Sequence, residues 1–221
     1  MGETRDGPRA ALRSPPQIKY IVGNEACERF SFYGMASILV LYMNEHLGYS
    51  ERDARAAYHW FFMASYLTPL LGGWVADRYL GRYRTILWIS LAYVAGHAVL
   101  AAWETPEGLL LGLALIAAGA GGIKPCVSAF VGDQFRPEQG TLIERIYGWF
   151  YWIINLGSGT AKLLIPFLLM TQGPQVAFAL PGVLMAVALA VFWASRRHYA
   201  RAPPSGPRAK CRPRRPAGPT A

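Results

Sequence analysis

The stretch IKYIVGNEACERFSFYGMASILVLYMN, residues 18–44, is long and apolar enough to cross a bilayer, yet it holds Glu25, Glu28 and Arg29. An ion at the centre of a membrane helix costs roughly 2.5–3.5 kcal/mol on insertion scales, so three together need a reason. Spacings of three and four place them on one helical face, which Tyr33 continues one turn further on. That face must look into a polar cavity or at partner charges.

Five more spans follow, at 54–79, 84–103, 107–131, 145–171 and 176–195. Turn formers separate them: Gly48 and Ser50, Gly81, Thr105 and Pro106, Pro137 and Gly140, then Gly173 and Pro174. Hydrophobic residues make up 53% of the 221 and charged ones 16%, and the apolar residues gather in runs such as 85–103 and 176–195. A soluble core does not need such runs. The chain therefore reads as an all-α membrane protein of six transmembrane helices, with the lipid bilayer as its surroundings and short loops that make neighbours antiparallel.

The formal net charge is +9, but the basic residues lie between apolar segments and form no patch interleaved with aromatics, which argues against a nucleic-acid partner. They favour one side. Arg5, Arg9, Arg13 and Lys19 precede the first span, Arg78, Arg82 and Arg84 join the second to the third, Arg136 and Arg145 the fourth to the fifth, and Arg196 and Arg197 follow the sixth. The opposite side has only Arg52 and Arg55, offset by Glu45, Glu51 and Asp53. The positive-inside rule then makes both termini cytoplasmic, in a plasma membrane of the bacterial inner type.

Cys27, Cys126 and Cys211 form no CxxC pair, and the first two read as packing residues. Residues 1–17 lack the apolar core of a cleaved signal peptide and are expected to be a cytoplasmic tail, with the six-helix domain at 18–199. Residues 200–221, rich in Pro, Arg, Ala and Gly, are expected to be a disordered basic tail. Those residue types are also what a G/C-rich gene read in a shifted frame would give.

Within the spans, Lys124 balances the net negative charge of Glu25, Glu28 and Arg29. A proton on either carboxylate then frees a cation for an anionic substrate group, which is linkage between two ligands of one site. A structural salt bridge that fixes helix register is the alternative. No metal cluster, nucleophile or phosphate loop stands out, so an enzyme is not expected. Gly119, Gly121 and Gly122 fail the GxGxxG pattern because its third glycine falls at Lys124, and with Ala117 and Ala118 they read as a close helix contact, bent at Pro125.

The segment Glu25-Ala-Cys-Glu28-Arg29-Phe30-Ser-Phe32-Tyr33-Gly34 resembles the ExxERFxYYG signature of the proton-dependent oligopeptide transporter family, a branch of the major facilitator superfamily. Tyr66-Leu67-Thr68-Pro69, Gly72-Gly73-Trp74-Val75-Ala76-Asp77, Leu80-Gly81-Arg82, Gly121-Gly122-Ile123-Lys124-Pro125, Asp133-Gln134-Phe135, Phe150-Tyr151-Trp152 and Asn155-Leu156-Gly157-Ser158 resemble further family segments in the same order. Phe32 departs from the pattern, where a tyrosine is usual.

The resemblance implies the N-terminal half of a proton-coupled symporter of di- and tripeptides, built from two inverted three-helix repeats. It implies that Arg29 and Lys124 hold the peptide carboxylate, Asn155 its amino end, and Tyr33 and Tyr66 line the pocket. Glu25, Glu28 and His59 would handle protons, the coupling ion, with no other cofactor. Asp77, Arg78 and Arg82 would form a cytoplasmic gate, Asp77 pairing with a nearby helix end. Lys162 matches no motif residue and is assigned no role, the outer interface being one place open to its cation. Transport needs a second six-helix half, from a separate chain or a homo-oligomer; otherwise the product is a transport-inactive membrane protein that at most contacts other membrane helices.

Overall fold

The computed structural model, which describes residues 14–135, 139–200 and 204, joins its helices where the sequence places glycine or a capping hydroxyl. The helices are α1 (Ile18–Glu45), α2 (Glu51–Val75), α3 (Arg82–Ala102), α4 (Pro106–Gly132), α5 (Gly140–Gln172) and α6 (Pro174–Ala194). A π-helical turn, Ala76–Leu80, extends α2, and a 3-10 turn, Ser195–Arg197, extends α6. Gly48, Gly81 and Gly173 take positive φ at the joints, and Ser50 and Thr105 cap α2 and α4 by accepting from the Asp53 and Gly108 amides. The helices α2 and α5 start three and five residues before the apolar spans, because caps and charged first turns lengthen a helix beyond its membrane-facing part. The expected tails at 1–17 and 200–221, with Cys211, fall largely outside the described residues.

Four of the six, α3, α4, α5 and α6, are long and apolar enough to cross a membrane by length and composition. α1 is interrupted by Lys19, Glu25, Glu28 and Arg29, while α2 opens on four charged residues and is rich in aromatic and small ones.

The most extensive packing pairs are α3 with α4, α2 with α4, α1 with α5, α3 with α6 and α1 with α6. Exchanging α1 with α4, α2 with α5 and α3 with α6 maps this set onto itself, as two related three-helix repeats require. Small residues allow the closest crossings. Gly72 of α2 lies directly on the backbone of Gly122 in α4, where an added Cβ would overlap the facing Cα. Beside it the Thr68 hydroxyl donates to the Ala117 carbonyl of α4 at 2.9 Å. α4 runs on as one helix through Pro125. It is also the central helix, with 61% of its apolar window buried against 17% for α5.

Candidate functional site

On α1, Arg29 reaches back one turn and donates from Nε (2.8 Å) and Nη2 (2.6 Å) to one oxygen of Glu25. Its Nε also lies 3.3 Å from Glu28 Oε2. Glu25 and Glu28 are 1% and 0% exposed, and three of their four carboxylate oxygens, Glu25 Oε2 and both of Glu28, accept no hydrogen bond among the described residues. Neighbouring helices fix this turn: Ser31 donates to the Pro181 carbonyl of α6 at 2.8 Å, and the Tyr93 hydroxyl of α3 to the Glu28 carbonyl at 3.4 Å. Buried carboxylates with unused acceptor capacity are poor as fixed charges and well suited to take a proton.

Lys124 does not make the ion pair the sequence suggested. No described carboxylate lies within 4.0 Å of its ammonium, which instead rests over the Phe32 ring (4.3 Å) and the Tyr66 ring (5.1 Å). The reason is local: Arg29 already engages both carboxylates, and the fully buried Phe32 offers the lysine a ring face one turn beyond Glu28. The phenylalanine that departs from the signature is thus a seat for the cation.

Helix α5 packs against α1. Its amide Asn155 is exposed and donates to the Tyr151 carbonyl at 2.8 Å, which leaves the amide oxygen to accept from a ligand. Two turns on, the Lys162 ammonium sits 5.1 Å over the ring of half-buried Tyr33. Gly34 makes this approach possible, since an added Cβ there would meet Ile165 of α5 at 2.6 Å. Lys162 therefore faces α1, with its side chain still exposed. Tyr66, 62% exposed, borders the same side from α2. Exposed His59 packs edge-on to the Tyr58 ring, and no described hydrogen bond or ion pair joins it to Glu25, Glu28 or Arg29.

At the end of the bundle where α2 meets α3, Arg82 donates to Asp133, just beyond α4, at 2.5 Å and lies 3.6 Å from Asp77. Asp77 thus pairs with the first residue of α3, while Arg78 lies exposed beside it. Gln134, next to Asp133, bonds both the amide and the carbonyl of Ala200 at 3.0 Å, which ties the segment after α6 to the same corner.

A model of the POT family matches residues 83–210, more than half of the chain. The chain belongs to the POT family. It is 42% identical over 207 residues to "Peptide transporter family 1" of Drosophila melanogaster, covering 87% of this chain and 28% of that protein. Its fold superposes on the POT family transporter PepTSo with a TM-score of 0.83 and 48% identity, covering 87% of this chain and 39% of that one. A second solved structure, titled as a proton dependent oligopeptide (POT) family transporter, gives 0.79 and 48% over 85% and 42%. The chain is thus a six-helix domain of the major facilitator type, and it spans under half the length of these POT relatives.

Three residues of this POT chain gain a place that motif reading did not give them. Asp133 lay within a quoted segment, but only the fold brings it to Arg82. Phe32 departed from the signature, and only the fold puts its ring beneath Lys124. Lys162 had no motif, and its one sequence signal was a cation deep within an apolar span.

Proposed function

We propose that this chain forms one half of a proton-coupled carrier of short peptides. The observation that carries the reading is the sealed Glu25–Arg29–Glu28 cluster, with unused carboxylate oxygens and an unpaired Lys124 beside it. A proton on Glu25 or Glu28 removes one hold on Arg29. The guanidinium then turns to the peptide's terminal carboxylate, bidentately, with Lys124 as a second, flexible charge. Asn155 accepts from the peptide's ammonium, and Tyr33 and Tyr66 line the space between. Proton and peptide thereby favour each other's binding, as linkage requires.

His59 serves as a separate proton relay on α2. Asp77, Arg78 and Arg82 act as a latch that holds one access state. The second wall of the site comes from another six-helix half, which covers the faces of α2 and α5 that bear Tyr66 and Asn155. In this reading residues 18–199 are the transport domain in a plasma membrane of the bacterial inner type, both termini are cytoplasmic, and 1–17 and 200–221 are tails.

Proteoliposomes containing the chain, alone and together with the C-terminal half of PepTSo, provide the test. An inward proton gradient is expected to drive labelled dialanine accumulation in the combined vesicles. Glu25→Gln should cut the gradient-driven part by roughly tenfold or more, within the usual range of coupling free energies. Unchanged proton dependence in that variant would remove the role assigned to Glu25.

A further inference from the structure

Lys162 lies ten residues from the end of α5, roughly 15 Å along the helix. That is about half the thickness of a hydrocarbon layer, beyond what a lysine stem can bridge to reach water at an interface. A cation at that depth must face a water-filled cavity or a partner charge. Its ammonium rests on Tyr33, and no described carboxylate lies within 4.0 Å of it. Asn155, two turns earlier, shares its edge of α5.

Lys124 and Lys162 bracket one aromatic pair. The rings of Phe32 and Tyr33 meet edge to face at 5.5 Å; Lys124 sits over the first and Lys162 over the second. Arg29, by contrast, is engaged by two carboxylates. Two acids against three bases leave this region with one net positive charge. A neutral dipeptide has a single carboxylate, which Lys124 and Arg29 already serve. The second, separate cation is complementary to a peptide with one carboxylate more.

We propose that Lys162 selects substrates by charge: it binds the side-chain carboxylate of an acidic residue, so the site favours dipeptides containing Asp or Glu and disfavours those containing Lys or Arg. This rests on the peptide-carrier reading above. Lys162 is then a specificity-determining residue, held on the cavity side by the Tyr33 ring and by the close α1–α5 crossing at Gly34.

The chain combined with the C-terminal half of PepTSo in lipid nanodiscs, titrated with Ala-Asp, Ala-Ala and Ala-Lys, tests this through the ratio of affinities within each variant, which a general loss of affinity leaves intact. In the unsubstituted chain Ala-Asp should bind about tenfold more tightly than Ala-Lys, the scale of one hydrogen bond to a charged group. Lys162→Met should bring that ratio close to one, Lys162→Arg should keep it, and Lys162→Glu should reverse it. An unchanged ratio in the Met and Glu variants overturns the role of Lys162 and leaves the peptide site standing. Failure of the unsubstituted chain, combined with that C-terminal half, to bind any of the three overturns both.

Discussion

Two clusters in this molecule have the same composition, one arginine with two carboxylates, and opposite construction. Arg29, Glu25 and Glu28 all ride on α1 within little more than a turn and are almost sealed from solvent. Arg82, Asp77 and Asp133 come from the start of α3, the π turn and the residue after α4, and their side chains are 31%, 66% and 20% exposed. The first cluster moves as one piece, so its internal distances say nothing about helix positions; burial makes it sensitive to the arrival of a proton or an anion. The second is wet and tolerant of local charge, but it holds only while three elements keep their places. Shared chemistry thus gives a dry cluster confined to one helix in one case and a wet one spread over three elements in the other.

Neutralising the arginines separates the two most sharply. Arg29→Met strands two buried carboxylates and should lower stability by about 3–5 kcal/mol, whereas Arg82→Met should cost about 1 kcal/mol or less. Denaturant titration in mixed micelles measures both, and equal losses would erase the distinction. Ionic strength gives a second, smaller contrast. In double-mutant cycles, the Arg82–Asp133 coupling should fall on going from low salt to about 1 M, where the screening length is near 3 Å, while the Arg29–Glu25 coupling should hold. The smallest effect distinguishes the two partners of Arg82. Asp133→Asn should destabilise by a few tenths of a kcal/mol, and Asp77→Asn by less, because Asp77 is the more exposed and the more distant partner.

The six helices were legible because each boundary has a residue with a physical reason to break or cap a helix, as at Ser50, Gly81, Thr105 and Gly173. The charged face of α1 was equally legible, since spacing alone places Glu25, Glu28 and Arg29 together. What spacing cannot supply is the choice a long side chain makes between competing partners. Lys124 had two carboxylates in prospect and took two rings, because an arginine on the same helix as the acids engages them first. Lys162 shows the converse. Its partner Tyr33 belongs to another helix far away in sequence, and only the small residue at Gly34 hints that the two helices come close enough.

The crossing of Gly72 on Gly122 has a mechanical consequence. Where two backbones touch, no side chain lies between them, so there is no rotamer to change and no layer to shear. The seam between α2 and α4 can be intact or open, but it has no intermediate setting. The weld therefore holds α2 and α4 in one register, and a side chain placed at position 72 has to prise the two helices apart.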